Sequence, residues 1–121
     1  MKVLYHLTLA AELEAGSDAE LYRPARFALD GFVHCTADIP TALEVARSYF
    51  SDATGTVLLL TLDRGLLHSP VRLEAPAPLP GGGAGHLREG VCFPHVYGPI
   101  ELRAITSRVT LARTGQGFTL P

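Results

Sequence analysis

Three short segments of the sequence each place one histidine among apolar residues. They are LYHLT (Leu4–Thr8), GFVHCT (Gly31–Thr36) and FPHVYGP (Phe93–Pro99). Their histidines are His6, His34 and His95. Because imidazole changes its charge near neutral pH, it can serve as a general acid, a general base or an anion ligand. These segments are therefore the first candidates for a functional site.

His34 is the strongest of the three candidates, because Cys35 and Thr36, whose side chains are also reactive or polar, follow it at the end of the predicted strand. In a regular strand Phe32, His34 and Thr36 share one face, while Cys35 points to the other. A nucleophilic Cys–His pair from neighbouring positions is then geometrically poor, and Cys35 is interpreted as a small, reduced core residue. His6 lies in mid-strand, where, for that segment alone, a half-buried structural histidine is the favoured interpretation.

The third segment carries two candidates, His95 and Tyr97, in a stiff stretch of chain. Pro94 and Pro99 restrict the backbone on either side, and Gly98 permits an unusual turn. A stiff segment can aim both side chains into a pocket. A tyrosine that fills the core beneath a turn is an equally weighted alternative.

Glu74 is the candidate carboxylate, at the end of the short strand pattern VRLE. It can act as a base or orient a histidine, or it can be a solvated partner of Arg72 or Arg88. The histidines show neither H-x-H nor H-x-x-x-H spacing, so no metal site is predicted. The glycine-rich GGGAG at 81–85 lacks the Lys-Ser/Thr of a phosphate loop and is not interpreted as one.

Length, charge and cysteine content restrict the function classes. The 121 residues fit a single domain, residues 1–121, which can bury a core without metal or disulfides. A net charge of −2 with scattered Lys and Arg does not favour nucleic-acid binding. The apolar runs are too short to span a membrane or to form a signal peptide. Two cysteines without a C-x-x-C pair favour a cytoplasmic protein with reduced thiols. A small-molecule ligand is expected for a pocket on which the polar residues of the three segments converge, and the oligomeric state stays open.

The periodicity of the chain predicts an α+β fold. Strands are expected over Lys2–Thr8, Gly31–Thr36, Thr56–Asp63, Val71–Glu74, Leu102–Ile105 and Arg108–Ala112. A first helix is expected over Leu9–Ala15, with Thr8 as its N-cap. A second is expected over Ile39–Phe50, with Asp38 or Thr36 as its N-cap. Residues 17–30 are expected to be irregular, 75–90 to form a mobile loop, and the tail GQGFTLP to fray. The predicted architecture is a mixed, largely antiparallel twisted sheet with two short flanking helices.

The motifs YHLT, DGFVHCT, VLLLTLD, VRLE and FPHVYGPI, in this order, resemble the bacterial domain-of-unknown-function family nine hundred and fifty-two. The resemblance runs from about Leu4 to about Ile105. That family is similar in fold to ADP-ribosyltransferase-like proteins, which include RNA 2′-phosphotransferases and toxins. The resemblance implies an ADP-ribosyltransferase-like cleft, NAD as a candidate cofactor, and His6 as the analogue of a ribose-holding histidine. The chain departs from that pattern at Leu7, where a glycine is expected, and has only Glu74 or Glu101 for the late glutamate.

Three hypotheses follow for the function. In the first, the chain is an enzyme or enzyme-like domain that acts on a nucleotide-type ligand, NAD or a phosphorylated ribose. The catalytic residues would be His34, His95 and Glu74, and the ligand-binding residues would be His6, Thr36 and Tyr97. In the second, the same pocket belongs to a non-catalytic binding module for a small anionic metabolite. In the third, the domain is purely structural, and its histidines only satisfy hydrogen bonds in the core.

Overall fold

The computed structural model of the chain describes residues 1–75 and 91–121. Its helices are α1 Ala10–Gly16, α2 Phe27–Asp30 and α3 Ile39–Phe50. Its strands are β1 Val3–Leu9, β2 Leu21–Tyr22, β3 Val33–His34, β4 Val57–Asp63, β5 Val71–Glu74, β6 Phe93–Val96, β7 Ile100–Glu101, β8 Ile105–Thr110, β9 Ala112–Thr114 and β10 Gly117–Thr119. Nearly all of the expected loop over 75–90, with the GGGAG segment, lies outside these residues.

The fold is α+β, with small antiparallel sheets in place of one large sheet. Two three-stranded sheets have the orders β1-β4-β8 and β3-β6-β5, and two-stranded ribbons pair β2 with β7 and β9 with β10. Every strand pair in the described residues is antiparallel. The predicted α+β class and the largely antiparallel pairing are confirmed, whereas the expectation of one mixed sheet is wrong. It was wrong because hydrophobic periodicity identifies strands but not their partners.

Strand β4 is central in its sheet, as its continuous apolar run predicts. One face of β4 carries Leu60 and Leu62 and packs into a core with Tyr22 and Val33. The other face belongs to a second core with the inner side of α3. In the register of β1 and β4, His6 lies opposite Leu60, so the imidazole is on the face of the first core.

Helix α3 confirms the sequence prediction. The Asp38 carboxylate caps it by accepting a hydrogen bond from the Thr41 amide at 2.8 Å, and Pro40 lies in its first turn. The predicted Thr8 cap of α1 is wrong, since Leu9 is the N-cap and makes no side-chain cap bond. The Thr8 hydroxyl is buried and bonds inside the protein.

Two expectations of irregular structure are also wrong. A third helix, α2, forms within residues 17–30 and ends at Gly31, whose φ of 80° suits glycine. The tail does not fray over its whole length, because β10 pairs with β9 and Phe118 is buried in the core beside α3. Directly before β8, Leu102–Ala104 forms a 3-10 turn where a strand was expected.

The thiols behave as expected in the structure. Cys35 is a buried free cysteine, as its interpretation as a core residue predicts, and Cys92 is an exposed one. Burial raises the pKa of the Cys35 thiol. Within residues 1–75 and 91–121, none of the helices has the length and apolar character needed to cross a membrane.

Candidate active site

A cavity of about 340 Å³ contains all three candidate histidines. Its volume is at the lower end of the usual range for small-molecule sites. The polar part of its lining includes His6, Thr8, Arg26, His34, Thr36 and His95, and the aromatic part consists of Tyr5, Tyr22, Tyr49, Phe50 and Phe93. The walls come from β1, β3, β6, α3 and the segment between β2 and α2.

Two strand contacts bring the histidines together. In the register of β3 and β6, His34 lies directly opposite His95, and the two ring centroids are 5.4 Å apart. The chain after β3 then meets β1, where the backbones of Tyr5 and Thr36 exchange hydrogen bonds of 2.9 and 2.7 Å. His6 follows Tyr5 directly. The convergence of the three imidazoles thus results from one strand pair and one bridge.

Both ring nitrogens of His6 bond to protein atoms. Nδ1 lies 2.7 Å from the His34 carbonyl oxygen, and since a carbonyl only accepts, Nδ1–H is the donor. Nε2 lies 3.1 Å from the Tyr22 hydroxyl, which also contacts the Thr8 hydroxyl at 3.2 Å. Burial lowers the pKa of His6 from 6.5 to about 4, so the ring is neutral at pH 7. His6 is therefore engaged within the protein.

His95 is held by Glu74 on the neighbouring strand β5. The Nδ1–H of His95 donates to Glu74 Oε1 over 2.8 Å, and the Tyr97 hydroxyl donates to the same oxygen. These hydrogen bonds, that from Tyr97 first, lower the pKa of Glu74 and keep it ionised. Burial lowers the pKa of His95, and the bond to Glu74 offsets this only in part. The His95 ring is thus neutral at pH 7, with the lone pair on Nε2.

His34 has its own carboxylate partner, Asp30 at the end of α2. The His34 Nε2 lies 2.8 Å from Asp30 Oδ2, and Arg26 donates to both oxygens of Asp30, at 3.1 and 3.3 Å. Burial tends to raise the pKa of Asp30, but the hydrogen bonds from His34 and Arg26 outweigh it and lower the pKa. Asp30 is consequently a fixed negative charge that orients His34.

Phe32 fixes the relative position of the two rings. It stacks on His95 with the centroids 4.1 Å apart and contacts His34 at 4.7 Å and Tyr97 at 5.3 Å. All four side chains lie on one face of the β3-β6-β5 sheet, as the alternation along GFVHCT and FPHVY requires. Arg72 lies over the other end of this row, 5.0 Å from the Tyr97 ring.

Residues 7–108 match the profile of the family described as "Protein of unknown function (DUF952)". The chain belongs to this family. The resemblance found in its motifs is confirmed at the level of the family, and the match covers most of the chain.

Solved structures with the fold of this DUF952 protein come from Caulobacter crescentus. The crystal structure of protein CC0527 is 24% identical, with a TM-score of 0.70 over 96% of this chain and 91% of that chain. The solution NMR structure of CC0527 is 25% identical, with a TM-score of 0.67 over 98% and 91%. No curated protein matches the chain. These likenesses establish the fold.

The structure places most of the predicted site residues of this DUF952 protein around the cavity. His6, His34, Thr36 and His95 line it. Glu74 and Tyr97 are not part of the lining. Glu74 is hydrogen-bonded to His95, which lines the cavity, and Tyr97 is hydrogen-bonded to Glu74. Glu101, the other candidate for the late glutamate, accepts from the backbone amide of His68 and does not line the cavity. The chemical roles assigned to these residues stay predictions.

The sequence interpretation missed four residues that shape the site. Asp30, Arg26 and Tyr22 lie in the stretch that was expected to be irregular, and Phe32 was noted only as a strand residue. The spacing of four residues between Arg26 and Asp30 was an available signal for their ion pair, since it brings side chains together on a helix. His34 lies on β3, beyond the end of α2, and its pairing with Asp30 had no such signal. Tyr22 had no local signal, because its partner His6 is in another strand.

The site combines two imidazoles, each with one nitrogen bonded to a carboxylate. The remaining nitrogens, Nε2 of His95 and Nδ1 of His34, have no hydrogen-bond partner within the described residues. In those same ranges, no group of three or more His, Cys, Asp or Glu side chains could hold a metal ion. Carboxylate-oriented imidazoles with a free nitrogen are suited to proton transfer to and from a bound molecule.

Proposed function

We propose that this DUF952 protein is an enzyme that acts on a nucleotide-type ligand, NAD or a phosphorylated ribose, in the histidine-lined cavity. The observation that carries the proposal is the His34–His95 pair. Each imidazole lines the cavity, is oriented by a carboxylate through one nitrogen, and has no hydrogen-bond partner for the other nitrogen within the described residues. This arrangement supports proton transfer with a bound molecule.

The roles in the pair follow from the environment of each ring. His95 is the general base, because its lowered pKa keeps it neutral and its side chain is only 3% exposed, so a proton reaches it through the cavity. Glu74 orients His95, and Tyr97 holds Glu74 in place. His34, which lines the cavity and whose side chain is 32% exposed, is the general acid when protonated.

The rest of the cavity suits the two halves of a nucleotide. Arg26 has guanidinium donors beyond those bonded to Asp30, and these can bind a phosphate. The aromatic walls offer flat surfaces for a base, since every nucleobase has a stacking face. A cavity of about 340 Å³ favours a ligand, or a ligand half, of mononucleotide size.

The proposed cleft is ADP-ribosyltransferase-like only by analogy of fold, and fold alone does not determine a reaction. The analogy assigns ribose binding to His6. Because both nitrogens of His6 already have protein partners, the hydrogen bonds favour a different arrangement. In this arrangement the ligand contacts His34 and His95, and His6 supports the backbone of His34.

A non-catalytic binding module for a small anion is the second candidate. It is favoured by Arg26 and the two imidazoles, which are the cationic or potentially cationic groups of the cavity. It uses the same contacts but requires no proton transfer. The two candidates therefore share a binding test and differ in whether the bound molecule is converted.

Calorimetric titration with NAD, ADP-ribose and ribose 5-phosphate at pH 6 and pH 8 tests the proposal, with conversion followed by proton NMR. We expect saturable binding that is tighter at pH 6, because a protonated imidazole attracts phosphate. His34→Gln should weaken binding by roughly 5- to 150-fold, the effect of losing one charge-assisted hydrogen bond. His68→Gln is the matched control, since His68 is exposed and outside the cavity lining. Absence of binding at millimolar concentrations of all three compounds would refute the proposal.

A further inference from the structure

We propose that the His34–His95 pair hydrolyses a phosphodiester of mononucleotide size, a nucleoside cyclic phosphate, with water as the second reactant. This inference rests on the proposed function and names its substrate class and reaction. It is carried by the arrangement of the two free ring nitrogens and by the charges that surround them.

The pair has the layout that acid–base hydrolysis needs. The ring planes of His34 and His95 are inclined by 68°, so the in-plane lone pairs of the two free nitrogens lie in different planes. The ring centroids are 5.4 Å apart, so one phosphodiester can contact both rings, one for the attacking water and the other for the leaving oxygen. Phe32 and the two carboxylates, Asp30 and Glu74, hold both rings in these orientations.

The charges around the cavity favour a singly charged phosphate. Arg26 is the one permanent cation in the lining among the described residues. It is accompanied by the carboxylates of Glu12 in the lining, Asp30 beside Arg26, and Glu74 behind His95. A phosphodiester has one negative charge, which Arg26 and a protonated His34 can balance together beside the Asp30 carboxylate.

The reaction proceeds as one balanced substitution at phosphorus. His95 Nε2 takes a proton from water as the water oxygen forms a bond to phosphorus. The bond from phosphorus to one ester oxygen breaks, and the Nδ1–H of protonated His34 gives its proton to that oxygen. The products are a phosphomonoester and a free hydroxyl group on the ribose. His95 then loses its proton to solvent and His34 regains one, so the pair returns to its starting state.

Asp30 and Glu74 are positioning residues, because they act through the imidazoles. Asp30 and Arg26 face His34, and Glu74, with Tyr97 and Arg72 beyond it, faces His95. The Glu74→Gln substitution removes the charge behind His95 and keeps a hydrogen-bond acceptor. In the pH–rate profile, we expect the pKa of the general base, His95, to be lower in this variant. A loss of structure alone would lower the rate without shifting this pKa.

The test uses nucleoside 2′,3′-cyclic and 3′,5′-cyclic monophosphates as separate substrates, with phosphorus NMR to identify the product. We expect conversion of at least one of them to a monoester, with a bell-shaped pH profile. His34→Gln and His95→Gln should each lower kcat/KM by roughly 10²–10⁴-fold, the usual contribution of a general acid or base. His68→Gln should leave the rate unchanged.

Because His95 is buried, its substitution can prevent folding. In that case His34→Gln, at a partly exposed position, and the pH profile of the unaltered protein decide the result. Cyclic phosphates that bind but are not converted would overturn the hydrolysis and leave the proposed ligand class standing, and so would conversion unaffected by His34→Gln. If neither the cyclic phosphates nor NAD, ADP-ribose and ribose 5-phosphate bind, both proposals fall.

Discussion

Acidification should destabilise the protein through one buried side chain, the imidazole of His6. The ring is 6% exposed, and its nitrogens bond to the His34 carbonyl and the Tyr22 hydroxyl. Protonation of the ring would bury a positive charge, which is costly. The folded protein therefore resists protonation of His6 more than the unfolded chain does.

The size of this effect follows from the lowered pKa. Burial displaces the pKa of His6 from 6.5 to about 4, which corresponds to roughly 3 kcal/mol. Above pH 6.5 neither state binds the proton, and the full stability is present. Between pH 6.5 and pH 4 the unfolded chain binds one more proton than the folded protein, so the free energy of unfolding falls by about 1.4 kcal/mol for each pH unit.

Urea unfolding between pH 4 and pH 8 measures the effect, with His6→Asn as the variant. The asparagine side-chain amide can still donate to the His34 carbonyl but does not titrate. His95 also has a lowered pKa and contributes in the same direction, so the quantity of interest is the difference between the two proteins. We expect the variant to lose about 3 kcal/mol less than the unaltered protein on going from pH 7 to pH 4. Parallel stability curves for the two proteins, or an NMR titration that places the pKa of His6 near 6.5, would refute the reasoning.

Three further predictions follow from buried groups. Tyr22→Phe should lower the free energy of unfolding by about 1–3 kcal/mol in urea titrations, because His6 Nε2 loses its hydrogen-bond partner. A thiol reagent should label Cys92 rapidly and Cys35 only on unfolding, as mass spectrometry of the native protein would show. Gly98→Ala should lower the melting temperature, since its new Cβ would lie 2.7 Å from Ser69 Cβ, and Ser69→Gly should restore part of the loss.

The elements that the sequence predicted well are those with strong local signals. Helix α3 has its cap, its first-turn proline and its apolar stripe within a few residues of one another, and all of them act locally. Strand β4 is apolar on both faces because both faces are covered, and this too is visible in its own residues.

The parts that were missed depend on contacts between distant segments. Helix α2 has four residues, too few to show a 3.6-residue period, so its Asp30 was not placed beside His34. The antiparallel arrangement depends on which strands pair, and the register that sets His34 opposite His95 joins two segments far apart in the chain. Whether His6 is a ligand-binding or a structural group depended on Tyr22, whose position no local pattern indicates.

His6 has a structural role that supports the proposed functional role of His34. Its Nδ1–H donates to the carbonyl of His34. His6 directly follows Tyr5, whose backbone forms a bridge with Thr36, two residues after His34. The buried ring thus fixes the backbone that presents the His34 imidazole, while the side chain of His34 remains free to reach the cavity. Burial lowers the pKa of His6 to about 4 and so keeps the ring neutral, although the hydrogen bond to the His34 carbonyl acts in the opposite direction. The same hydrogen bond fixes the backbone at the contact between β1 and β3, from which the side chain of His34 reaches the cavity.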